Sequence, residues 1–105
     1  MPSVSAARDN GQPVFVDFTA AWCVTCQVNK RLVLNRDAVQ TRFHERNVVT
    51  MVADWTNRDP RISLALDSLG RSGVPVYALY PPGDGAPLLL PELLTEEIVL
   101  EAIDQ

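Results

Sequence analysis

Apolar positions along the chain follow two periods. "PVFVDFTA", "NVVTMVAD" and "VPVYALY" are dense in β-branched and aromatic residues and bounded by turn formers, which predicts three strands. The first is almost continuously apolar, as expected of a central strand buried on both faces; Asp17 is the exception within it. From Cys23 onward the period lengthens. Cys26, Lys30 and Val33 share one helical stripe, and Val28 and Leu32 lie near a second. Asn35-Arg36-Asp37 interrupts this run, and Asp37 is placed to cap a further helix carrying Ala38, Val39, Arg42 and Phe43. Asp59-Pro60 opens another, with Ile62, Leu64, Ala65, Leu66 and Leu69 as its apolar set and Gly70 as its stop. "APLLL" reads as a short fourth strand. Thr95, followed by Glu96 and Glu97, starts a last helix through Ile103. At the other end, Ser3–Asp9 reads as a short helix stopped by Asn10-Gly11 and Pro13.

The element order is (α)βαβαββα. A β-α-β passage needs a crossover, so the first two strands should pair in parallel, with helices on both faces of the sheet. "PPGDG" between the last two strands favours an antiparallel hairpin. The fold class is therefore α/β, a mixed sheet flanked by helices.

The 105 residues, 47% hydrophobic and 21% charged, suit one domain spanning residues 1–105 with one core. The longest apolar runs, Val14–Phe18 and Val74–Tyr80, fall far short of the roughly 20 residues a membrane helix needs. A net charge of −4 and scattered basic residues argue against nucleic acid as a partner. "MPSVSAARDNGQP" lacks the basic and apolar regions of a signal peptide. That leaves a cytosolic protein or a domain of a larger chain.

Both cysteines lie in "FTAAWCVTCQ", where a strand gives way to a helix. Unpaired N–H groups at a helix start stabilise a Cys23 thiolate and lower its pKa. Cys26, one turn later on the same side, is within reach of a disulfide after a small adjustment. An exposed attacking thiol with a shielded resolving thiol is equipped for two-electron thiol–disulfide exchange. Other readings stand beside this one. A structural clip closing so short a loop removes little unfolded-state entropy. Structural zinc wants four ligands, yet there is no third cysteine and His44 is the single histidine. A lone dithiol can carry Cu(I), although no methionine flanks this pair and the bulky Trp22 does.

Asp17, six residues before Cys23, either points outward at a sheet edge or lies beneath Cys26. In the second case burial raises its pKa and it can exchange a proton with the resolving thiol. Pro75 stands where a strand begins, a place proline tolerates, and a cis Val74–Pro75 bond would account for it. Trp22 is expected to shield the site beside the disulfide, Trp55 to pack against the sheet, and His44 to be solvated. Arg58-Asp59-Pro60-Arg61 reads as a charged helix-start surface.

Strand-Asp-x5-Cys-x-x-Cys-helix, followed about fifty residues later by Gly-Val-Pro and a strand, resembles the thioredoxin superfamily from Val14 to about Ile103. The resemblance implies a thioredoxin fold without a bound cofactor or metal. It makes Cys23 the attacking and Cys26 the resolving cysteine of a redox-active disulfide, and Asp17 the buried acid. Pro75 takes the cis-proline position facing the disulfide, and Val74 presents its backbone to the bound partner. "VFVDFTAAWCVTCQVNKRLVL" and "VADWTNRDPRISLALDSLGRSGVPVYALYPPG" are similar in particular to the C-terminal periplasmic domain of the DsbD/ScsB-type thiol:disulfide interchange proteins. Val24-Thr25 replaces the Gly-Pro of general thioredoxins, and Lys30 stands where some relatives carry glutamate.

That resemblance implies a protein-disulfide reductase domain of an inner-membrane protein. Electrons would come from a membrane-embedded redox domain and pass to a periplasmic thiol–disulfide domain or another periplasmic acceptor. The isolated domain is expected to be a monomer. Held beside this are a free-standing periplasmic reductase, for cytochrome maturation or protein repair, and a Cu(I)-binding dithiol module.

Overall fold

A computed structural model describes residues 4–105. Helix α1 (Val4–Asp9) leads into strand β1 (Val14–Thr19). Helix α2 (Val24–Asn29) continues without a break as one π turn (Lys30–Leu34). There follow α3 (Asp37–Glu45), β2 (Val49–Asp54), α4 (Pro60–Ser68), β3 (Val76–Tyr80), β4 (Leu88–Leu89) and α5 (Glu96–Asp104). The sheet order is β2-β1-β3-β4, with β1 parallel to β2 and antiparallel to β3, and β3 antiparallel to β4. Both the crossover and the hairpin expected from the sequence are present.

β1 is central, and its alternation divides the core. Phe15 joins Tyr77, Leu79, Val33, Leu34, Val39, Phe43 and Val99 on one face. Val14, Val16 and Phe18 join Met51, Ala53, Trp55, Leu66, Val76 and Ala78 on the other. Burial on both faces explains the strand's nearly unbroken apolar character. It also sets Asp17 on the Phe15 face, within the protein rather than at a sheet edge.

Local details depart from the periodic reading. The buried stripe of α2 and its π turn is Cys26, Asn29, Val33 and Leu34, while Lys30 is exposed. The π turn adds a residue to the helical repeat and rotates the later positions relative to the earlier ones. Arg36, not Asp37, is the N-cap of α3; Asp37 lies in its first turn, where its charge faces the helix dipole favourably. Asp59 and Thr95 do cap, accepting the N–H groups of Arg61 and Ile98. Leu64 is largely exposed, on the outer side of α4. β3 begins at Val76 because proline has no N–H to give the ladder. Gly70 ends α4 with a positive φ of 73°, a conformation glycine reaches without a Cβ clash. Ser3 lies outside the described residues. No helix among the described residues is long and apolar enough to cross a membrane.

Candidate redox-active site

Residues 20–23 turn the chain from β1 into α2. Cys23 is the N-cap, with extended backbone (φ −87°, ψ 104°), and its Sγ accepts the backbone N–H of Cys26 at 3.2 Å. The sulfur thus occupies the place of the usual capping oxygen. Once reduced, a Cys23 thiolate at this position faces the positive end of the helix. Gln27 braces the turn by donating from Nε2 to the Ala20 carbonyl at 3.1 Å. Cys23 and Cys26 are disulfide-bonded with Cα atoms 5.2 Å apart. The pair packs with Ala20 and the half-buried Val74. Cys23 is 7% exposed and Cys26 2%. Cys23, expected from the sequence to be exposed, is buried like Cys26 in the disulfide form, where both pack against these neighbours. The Val74–Pro75 bond is cis, and Pro75 is buried at the entrance to β3.

Asp17 sits opposite Val52 in β2 and Tyr77 in β3. Its Oδ1 is enclosed and has no hydrogen-bond partner among the described residues. Burial raises its pKa to about 6 against an opposing pull from the Lys30 charge. A cleft of about 130 Å³ lined by Asp17, Lys30, Asn35, Gln40 and Thr50, with apolar neighbours, connects the acid to the surface. Asn29, one turn beyond Cys26, donates from Nδ2 to the Tyr77 hydroxyl at 2.8 Å. The shared cleft and the pull of the Lys30 charge place Asp17 beside the π turn that follows α2. Burial also pushes the Tyr77 phenol up to about 12, with Asp17 adding to the rise and Asn29 opposing it.

Asn29 is the site residue that sequence reasoning missed. It also donates to the Glu92 carbonyl at 2.7 Å and accepts the Leu94 N–H at 3.2 Å through Oδ1. One side chain therefore ties the redox helix to β3 and to the segment before α5. The available signal was its spacing, three residues after Cys26 and four before Val33, which places an amide on the buried stripe.

Trp22 directly precedes Cys23. Its ring is 49% exposed and is fixed to the β2–α4 loop, with Nε1 donating to the Thr56 carbonyl at 3.0 Å. It packs obliquely on Trp55 at 6.0 Å between centroids. Trp55 is buried, as expected of a supporting residue, and donates to Ser63 Oγ at 2.8 Å. Arg58, read from the sequence as ordinary helix-start surface, lies over both rings. His44 is exposed. Among the described residues no three His, Cys, Asp or Glu side chains are grouped to hold a metal ion.

Residues 3–82 match the family model described as thioredoxin-like. The chain belongs to the thioredoxin-like family. It is 32% identical over 81 residues to the thiol:disulfide interchange protein DsbD 1 of Pseudomonas aeruginosa, a match covering 77% of this chain. The chain spans only 13% of that relative's length. The C-terminal domain of DsbD from Neisseria meningitidis superposes in its reduced form with a TM-score of 0.73 at 24% identity, over 94% of this chain and 85% of that one. Its oxidised form gives 0.70 at 23% identity, over 94% and 89%. A thioredoxin from Thermus thermophilus gives 0.73 at 22%, over 93% and 75%. These superpositions show the fold. With the sequence match, they describe a DsbD-like thioredoxin domain whose CxxC forms a disulfide at the start of a helix, the arrangement of a thiol–disulfide oxidoreductase.

Proposed function

We propose that this domain is a protein-disulfide reductase that relays electrons between other thiol–disulfide proteins in the periplasm. The observation that carries the reading is Cys23 as the N-cap of α2, disulfide-bonded to Cys26 at the start of that helix. The reduced Cys23 thiolate attacks one sulfur of a partner disulfide. A mixed disulfide forms, and the partner's second sulfur leaves as a thiolate. Cys26 then loses its proton and attacks Cys23 Sγ, closing the Cys23–Cys26 bond and releasing the first partner sulfur. The partner gains two electrons and, from solvent and the site, two protons. Asp17, with its pKa near 6, is suited to take the Cys26 proton and pass it along the Lys30-lined cleft. Val74, packed on the disulfide, is suited to offer its backbone to the partner chain, with the cis Pro75 next to it in sequence and Trp22 next to Cys23.

The likeness to DsbD supports a larger inner-membrane protein as the setting. A membrane-embedded redox domain is then the electron donor, and a periplasmic thiol–disulfide domain, including one serving cytochrome c biogenesis, is the acceptor. Equilibration of the domain in dithiothreitol or glutathione buffers tests the direction of flow. A reductant should have a potential of roughly −200 to −270 mV, the span from glutaredoxins to thioredoxin. A value near the roughly −120 mV of DsbA would make it an oxidant and end the relay assignment.

A further inference from the structure

Arg58 is held in an unusual way. Its guanidinium carbon lies 5.1 Å from the centroid of the Trp22 ring and 4.7 Å from that of Trp55. Its backbone has a positive φ of 53°, a conformation that an unbranched polar loop residue adopts at a steric cost. The turn is fixed by its N–H donating to the Trp55 carbonyl at 2.9 Å. The neighbouring acids are engaged elsewhere. Asp54 accepts from both the N–H and the hydroxyl of Thr56, and Asp59 caps α4 and faces Arg61. Among the described residues, Arg58 has no ion pair and no side-chain hydrogen bond. Stacking occupies the flat faces of a guanidinium and leaves its N–H edge free, which is the edge that grips a carboxylate. Trp22, on which it rests, is the residue immediately before Cys23.

We propose that Arg58 is a specificity residue of the docking surface, selecting protein partners that carry a carboxylate beside their disulfide. The inference rests on the thiol–disulfide reading above. The chain's net charge of −4 opposes acidic partners in general, so a preference for a carboxylate has to come from this one cation at the point of contact. The tryptophan platform fixes the charge before binding, so little side-chain freedom is lost when the carboxylate arrives.

The test uses the reduced domain in single turnover with two short peptides, each closed by one disulfide and differing only in glutamate or glutamine flanks. Domain dithiol and peptide disulfide become domain disulfide and peptide dithiol, read by mass. At low ionic strength the acidic peptide should react faster than the neutral one by about threefold or more. Arg58→Gln should bring that ratio close to one, while Arg58→Lys, which keeps the charge but loses the planar fork and the stacking, keeps only part of it. The ratio separates substrate recognition from any change in Cys23 reactivity, which moves both rates together. Equal rates in the unaltered domain, or a ratio unchanged in Arg58→Gln, would overturn the proposal. Failure of the unaltered domain to reduce either peptide would overturn the exchange reading itself, and this inference with it.

Discussion

Asn29 and Tyr77 are 48 residues apart and meet inside the protein, the amide donating to the phenol oxygen at 2.8 Å. The same amide serves the Glu92 carbonyl and the Leu94 N–H. The helix bearing Cys26 is thereby fixed to the sheet at its buried face.

Removing this attachment should be costly. Asn29→Ala leaves the buried Leu94 N–H and Tyr77 hydroxyl without their partner, each a loss of about 1–3 kcal/mol. Urea unfolding of the oxidised domain should show a destabilisation of about 2–4 kcal/mol. A change below about 0.5 kcal/mol would mean that water replaces the amide and that Asn29 does not secure the helix.

Asp17 gives stability a characteristic pH dependence. Its pKa is about 6 in the folded protein against 3.8 for an ordinary Asp side chain. The folded state therefore binds the proton more tightly than the unfolded chain. The protonated acid is tolerated at low pH, and stability falls as pH rises from about 4 through about 6 as the buried group ionises. Asp17→Asn should be more stable than the parent by about 3 kcal/mol at neutral pH, with the advantage fading near pH 4. An advantage that does not change with pH, or a loss of stability at pH 7, would contradict this.

Lys30 opposes the burial effect by favouring the charged carboxylate. Lys30→Gln should move the Asp17 titration upward. The carboxyl carbon resonance followed by NMR reports it directly, and a downward or absent shift would show that Lys30 does not act on the acid.

How much of this was legible in the sequence depended on the range of the interactions. The strands, the helix starts at Asp59 and Thr95, and the division of the core follow from periodicity and capping, which are local. The redox pair was legible because Cys23 and Cys26 lie within one helical turn. Asn29 was not, because its partners are 48 to 65 residues away and an amide on a buried stripe has no meaning until the opposing strand is placed. Arg58 looked like surface charge because its neighbours Asp59 and Arg61 do pair there. Only a left-handed turn after Trp55 brings it back over Trp22, 36 positions earlier. The π turn was hidden for a related reason: an inserted residue leaves the apolar content unchanged and alters only the phase at which Val33 and Leu34 meet the core.

The account rests on Cys23 as the attacking sulfur and Cys26 as the resolving one. Reaction of the reduced Cys26→Ala domain with a peptide disulfide, quenched with acid and mapped by mass spectrometry, tests this most directly. A mixed disulfide should accumulate on Cys23, and Cys23→Ala should form little or none in the same time. Faster capture by Cys26 in the Cys23→Ala variant would reverse the roles of the two sulfurs and contradict the proposed mechanism.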